Sequence, residues 1–280
     1  MAISINTNIA ATRASQYLAS NHANLQKSLD RLSSGKRITS PSDDAGGLAV
    51  SMKLEHSING LKGASKNISN GISLLQVQDG ILESAGQIVA RMGELRGMYD
   101  DVTKNTDDKA TYDSEYRDLK QQLNALESST FNSVDLFETS ASQTLDVYIT
   151  TSGASGASVD ISQHNFITDL DGQATATVIE AAPAATVTVS ENTAADYTNV
   201  LEKIAEFRAI NGGQAKRLEY ALADVETQIT NMTAANGRIM DVDIATESAN
   251  LAKQQILVQA AAAMTAQANS ANDVALMLLQ

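Results

Sequence analysis

Residues 251–280, LAKQQILVQAAAAMTAQANSANDVALMLLQ, hold no charged side chain between Lys253 and Asp273, yet contain more Ala, Gln and Asn than Leu or Phe. Ala and Gln are strong helix formers, so the stretch is expected to be helical. Leu257, Ala261, Met264, Ala268, Ala271, Ala275 and Leu278 recur with 4-3 spacing, the seam of a coiled coil. Small seam residues let another helix approach closely but bury little area. At about 25 cal/mol per Å2, such a stripe does not offset the entropy of ordering the segment unless partners surround it. The segment reads as an assembly element. A membrane span needs an uninterrupted apolar run, and Gln254, Gln255, Gln259, Thr265, Gln267, Asn269 and Asn272 break this one. A core helix inside a monomer is the remaining alternative.

The opposite end of the chain repeats the pattern. Ala11, Ala14, Leu18, Leu25, Leu29 and Leu32 mark a helix, with Leu18, Leu25 and Leu32 on a strict heptad and Asn21 and Ser28 in the same seam. Gly35 is placed to end it. Two under-filled amphipathic helices at the two chain ends are natural partners for one another. In KRITSPSDDAGGLAVS (36–51), Ser40 is the expected N-cap of the next helix. Pro41 would take its first position, with Asp43 and Asp44 at the positive end of its dipole. Adjacent carboxylates point to different sides of a helix, so they form neither a metal site nor an acid–base pair.

From Leu54 the seam runs Leu54, Ile58, Leu61, Ser65, Ile68, Ile72, Leu75, Asp79, Leu82, Gly86, Val89, which predicts a helix to about Tyr99. Its glycines cost up to ~1 kcal/mol each relative to Ala, which points to close contacts or bends. A turn at 104–107 precedes a shorter helix carrying Tyr112, Tyr116, Leu119, Leu123 and Leu126, folded back as a hairpin. TFNSVDLF (130–137) breaks the pattern. Between 138 and 192, Leu145, Val147 and Ile149 alternate, as do Val159 and Ile161, and Val187 and Val189. Gly153, Gly156, Gly172 and Ala182-Pro183 supply turns, so short strands in a small β subdomain with Phe166 in its core are expected. Its Ser and Thr residues could accept O-linked sugars. Leu201, Ile204, Leu218, Leu222, Val225, Ile229, Met232, Asn236 and Ile239 then restore a helical seam, with a break near Gly237 and Asp241.

Composition narrows the function classes. The net charge is −13, and residues 79–196 hold 20 acidic and 6 basic residues, whereas the last thirty residues hold one of each. Nearly neutral ends suit packing, and an acidic middle faces water and disfavours nucleic acid. There is no Cys and no Trp, so no disulfide framework. The start, MAISINTNIAATRAS, lacks the basic and apolar regions of a secretory leader. His22, His56 and His164 show no metal-ligand spacing, Asp241, Asp243 and Glu247 fail the calcium-loop template, and no phosphate-binding or nucleophile motif occurs. No catalytic, cofactor or metal site is expected, and no membrane partner.

SLDRLSSGKRITSPSDDAGGLAVS (28–51), TFNSVDLF (130–137) and residues 217–280, from RLEYALADVETQ to the end, are similar to the signature segments of bacterial flagellin. That resemblance implies a mainly α fold: a long antiparallel coiled-coil helical bundle formed by both chain ends, with a small β-rich middle subdomain. It implies that 1–40 and 242–280 form an inner-tube coiled coil, that 41–137 and 193–241 form a helical bundle domain, and that 138–192 lies outside. It implies an extracellular filament subunit that homopolymerises through Leu18, Leu25, Leu32, Leu257, Met264, Ala268 and Leu278. Export would use the flagellum's own type III apparatus, with a chaperone on the C-terminal helix, and the chain would also meet hook-associated and cap proteins. A Toll-like innate receptor would read Arg91, Glu94 and Leu95, although Arg91 and Glu94 are also explained as an i,i+3 surface pair. The rivals are a hook–filament junction protein with similar termini and a flagellin-like metalloprotease, whose zinc motif residues 138–192 lack.

Overall fold

The computed structural model describes residues 8–138, 143–165 and 188–277. Contacts group the chain into two units, Met1–Ile58 with Asn231–Gln280, and Asn59–Thr230. The helices are α1 (Ile9–Ser34), α2 (Ala45–Tyr99), α3 (Thr106–Glu127), α4 (Ala194–Met240) and α5 (Ile244–Met277). The strands are β1 (Thr130–Phe131), β2 (Val134–Asp135), β3 (Gln143–Tyr148) and β4 (Ser158–Gln163). α2 and α4 contribute residues to each unit.

In the first unit, the Asn8 side chain caps α1 by accepting from the Ala11 amide at 3.0 Å. The helix ends at Gly35, whose φ of +69° carries no Cβ penalty. α2 starts at Ala45, later than the sequence suggests. Its cap is Asp44, whose Oδ1 accepts from Gly47 N at 2.8 Å and whose carbonyl accepts from Leu48 N at 3.0 Å. Ser40 instead closes a turn, its carbonyl accepting from Asp43 N at 3.0 Å. The reason lies in Asp43, whose carboxylate accepts from Thr39 N, Thr39 Oγ1 and Ser40 N and so holds 39–43 out of the helix. The break between α4 and α5 pairs with the chain after α1: Arg37 N donates to Met240 O at 2.6 Å and Val242 N to Gly35 O at 3.0 Å. The Arg37 guanidinium adds two bonds to Ile239 O.

The second unit holds the core. Along α2, Leu61, Ile68, Leu75, Leu82 and Val89 are buried every seventh residue, as the heptad requires. The intervening seam positions are Ala64, Gly71, Gln78, Ala85 and Met92, one residue earlier than the expected Ser65, Ile72, Asp79 and Gly86. Close packing explains the shift: a Cβ on Gly71 would stand 3.0 Å from Val147 Cγ2 and 3.3 Å from Leu218 Cδ1. Tyr197, Val200, Ile204, Phe207, Leu218 and Val225 of α4 complete this core. Arg208 of α4 forks onto Asp79 of α2 at 2.8 and 3.1 Å. α3 begins with a capping box between Asn105 and Asp108.

β1 and β2 form a hairpin whose two turn residues, Asn132 and Ser133, both have positive φ, the mirror-image turn that suits strand twist. β3 and β4 are antiparallel, with Leu145 opposite Ile161 and Val147 opposite Val159, as the alternation predicts. Val189 lies in a short 3-10 turn rather than a strand and is fully buried. Phe166, Gly172, Ala182, Pro183 and Val187 fall outside the described residues. Gln78, wholly buried, donates to Leu136 O at 3.0 Å and Ser162 O at 3.2 Å, joining α2 to the hairpin and to β4.

Candidate assembly surface

α1 and α5 pack against each other in opposite directions. The Asn8 amide donates to Ala268 O at 2.8 Å, Asn21 donates to Leu257 O at 3.4 Å, and Arg31 faces Glu247 at 3.8 Å. On α1 the half-buried stripe is Ala11, Ala14, Leu18, Asn21, Leu25, Ser28 and Leu32, the heptad seam read from the residues. On α5 it is Leu251, Gln254, Val258, Ala261, Thr265 and Ala268.

Here the expected seam needs correction. Ala261 and Ala268 face α1, but Leu257 is 37% exposed and Met264 63%. Their places are taken by Val258 and Thr265, one residue on. A hydroxyl in a helix seam is tolerated when it is bonded, and Thr265 Oγ1 donates back to Ala261 O at 2.8 Å. The side chains from Ala271 onward, and Leu278 entirely, lie outside the described residues.

The outcome is a unit with almost no interior. Of the twenty-five buried hydrophobic residues among those described, only Ile38 and Ile58 belong to it. Of the thirteen large hydrophobic side chains left exposed among the described residues, nine belong to it: Ile9, Tyr17, Leu29, Val50, Met52, Ile244, Ile256, Leu257 and Met264. Seven of these nine lie on the paired helices α1 and α5, and exposed apolar surface of this kind marks interaction sites. Counting one stripe per helix finds the α1–α5 contact and overlooks Ile9, Tyr17, Ile244 and Ile256, which are exposed.

Charge positions the turn between α1 and α2. Lys27 Nζ lies 2.6 Å from Asp43 Oδ1, and the carboxylate is nearly enclosed while the ammonium stays half-exposed. The Lys27 ammonium, helped by Thr39 and Ser40, holds the Asp43 carboxyl well below the usual carboxylate range. Asp243 caps α5, accepting from Ala245 N, Thr246 N and Thr246 Oγ1, and these bonds hold its carboxyl low as well. Asp43, Asp44 and Asp243 therefore all act at helix starts. Among the described residues no group of three His, Asp or Glu side chains is placed to hold a metal.

In the second unit, Arg91 bridges Glu94 at 2.9 Å and Glu115 of α3 at 2.8 Å. Leu95 is wholly buried in the core. Of the three residues of the expected receptor patch, only Arg91 and Glu94 present a surface. No helix of the described residues is long and apolar enough to cross a membrane.

Comparison with known proteins agrees with this geometry. Residues 5–142 match the bacterial flagellin N-terminal helical region, and residues 196–279 match the bacterial flagellin C-terminal helical region. A flagellin of Halalkalibacterium halodurans is 33% identical over 278 residues, covering 99% of both chains. A flagellar filament 33 kDa core protein of Treponema phagedenis is 32% identical over 285 residues, also covering 99% of both. In fold, the chain is similar to a putative flagellar hook-associated protein from Vibrio parahaemolyticus, with a TM-score of 0.59 at 14% identity over 71% of this chain and 100% of that one. By the match of both helical regions and by relatives aligned along nearly its whole length, the chain belongs to the bacterial flagellin family.

Proposed function

We propose that this chain is a structural subunit that polymerises into the bacterial flagellar filament. The observation that carries the reading is the contrast between the units: buried hydrophobic residues gather in one, and exposed ones in the other. Neighbouring copies covering α1 and α5 would bury Ile9, Tyr17, Ile256, Leu257 and Met264. Leu18, Leu25, Leu32 and Ala268 would then hold the α1–α5 pair itself together, and Leu278 would extend the same surface. The terminal helices, 1–40 and 242–280, would line the inner tube, 41–137 and 193–241 would surround it, and 138–192 would face outward. The subunit is a building block, and its location is the filament, an extracellular appendage.

The same reading covers the finer steps. An α5 that exposes Ile256, Leu257 and Met264 before assembly is a suitable ligand for an export chaperone. Hook-associated and cap proteins would meet the filament's two ends through the same surface. An innate receptor of the Toll-like class would have Arg91 and Glu94 available, without Leu95. The related fold of a hook-associated protein keeps a junction role as the second reading. Electron microscopy of the purified protein after seeding separates the two: filaments of indefinite length support the subunit, and short caps or none support the junction protein.

A further inference from the structure

The β3–β4 pair has one edge partly covered, at Ser162 of β4, and one edge, that of β3, with no cover among the described residues. Ile149 N donates to Ala157 O at 3.1 Å. With the observed register, this makes 145/161 and 147/159 the mutually hydrogen-bonded pairs, so the even-numbered residues of β3 turn their amides and carbonyls outward. On β4 the outward groups of Ser162 are satisfied. Its amide donates to Gln214 Oε1 at 3.2 Å and its carbonyl accepts from Gln78 Nε2 at 3.2 Å. On β3 the outward backbone groups of Thr144, Asp146 and Tyr148 have no such partner among the described residues. An uncovered strand edge is a template for another strand.

A groove of about 580 Å3 runs along that edge. Four consecutive β3 residues, Leu145 to Tyr148, line it, together with Leu74 of α2 and Phe131 and Val134 of the hairpin. Consecutive residues of one strand border a groove only along its edge, because their side chains alternate between faces. The face carrying Leu145 and Val147 looks towards α2, since Val147 Cγ2 stands 3.0 Å from where a Gly71 Cβ would be. The opposite face carries Asp146 directly across from Asp160, both exposed and in no ion pair among the described residues. Like charges opposite one another in a non-hydrogen-bonded pair are destabilising, and a cation placed beside both removes that cost.

We propose that the free edge of β3 binds an extended segment of another protein, of the pattern apolar–basic–apolar, by strand addition. Hydrogen bonds would form at Thr144, Asp146 and Tyr148. The segment's apolar residues would enter the groove beside Leu74, Phe131 and Val134, and its Lys or Arg would lie beside Asp146, with Asp160 on the next strand of the same face. A second copy of this chain is a poor occupant, because its own β3 and β4 each bring one carboxylate and no cation to the edge. The proposed contacts use no residue of α1 or α5, so peptide binding by the monomer is tested independently of polymerisation.

The test uses the full-length monomer and an acetylated, amidated peptide of alternating Val and Lys, followed by fluorescence anisotropy and amide exchange. A control peptide of equal charge has its central Val replaced by Pro and the adjacent Lys by N-methyl-Lys, so that an N–H facing β3 is lost in either strand direction. The expected result is binding that weakens about tenfold with the Pro peptide and about tenfold in Asp146→Asn/Asp160→Asn. The Thr144, Asp146 and Tyr148 amides should become protected when the peptide binds. Circular dichroism establishes that the variant is folded, and Asp118→Asn, on α3, controls for loss of charge alone. Equal binding of the two peptides, equal loss in Asp118→Asn, no binding, or protection confined to other residues would overturn the proposal.

Discussion

Ser133 sits at φ +64° in the second position of a two-residue hairpin turn, a conformation that costs a residue with a Cβ but not glycine. Ser133→Gly is expected to stabilise the second unit by about 0.5–1 kcal/mol, after allowing for the freer unfolded chain, measured by urea unfolding. Gly71 is the reverse case. Gly71→Leu would drive a side chain into Val147, Ile161 and Leu218 and is expected to destabilise by roughly 1–3 kcal/mol in the same assay. At Asp43 the folded-state carboxyl is depressed, chiefly by Lys27. Its contribution is therefore fully present above the unfolded value of about 4 and is lost only as pH falls below it, through the folded value. Lys27→Met should raise the Asp43 titration and bring that acid loss to higher pH. An NMR carboxyl titration that does not move would refute the role given to Lys27. Residue types announced the capping chemistry of 40–44, but the choice between Ser40 and Asp44 depended on which groups the Asp43 carboxylate captured, and that is a tertiary outcome.

Element by element, the helices and the strands β3 and β4 were legible because their signals are local: heptads in α1 and α2, alternation in β3 and β4, Gly35 at a helix end. What misled was the second position of each heptad. In α2 the buried residues are Ala64, Gly71 and Ala85, and in α5 they are Val258 and Thr265 rather than Leu257 and Met264. At Gly71, Val258 and Thr265 a larger apolar neighbour, Ile72, Leu257 or Met264, attracts the assignment because hydrophobicity ranks side chains by the area they bury, whereas the packing around Gly71 leaves little room for a Cβ. This gives a sharp expectation for α5. Leu257→Asp and Met264→Asp should leave monomer unfolding within about 0.5 kcal/mol of the parent and yet prevent sedimentable polymer from forming. Leu75→Ala, in the α2 core, should cost about 2–5 kcal/mol in the monomer. If the two α5 variants lose monomer stability on that scale, their side chains are core and the assembly surface has been misplaced.

Across the whole molecule, hydrophobic burial is divided unequally. At about 25 cal/mol per Å2 of apolar surface, burial sets most of the local resistance to opening. The second unit, with Leu61, Ile68, Leu75, Leu82 and Val89 packed against Ile204, Phe207 and Leu218, has the means to stay closed alone. The first, with Ile38 and Ile58 as its only buried hydrophobic residues among those described, does not. The direct test is amide hydrogen exchange on dilute monomer and on seeded polymer. In the monomer, residues 9–34 and 244–277 should exchange rapidly while 61–95 and 197–225 are protected, and in the polymer the two end segments should become protected as well. Ends as protected as 61–95 in dilute monomer would contradict the account.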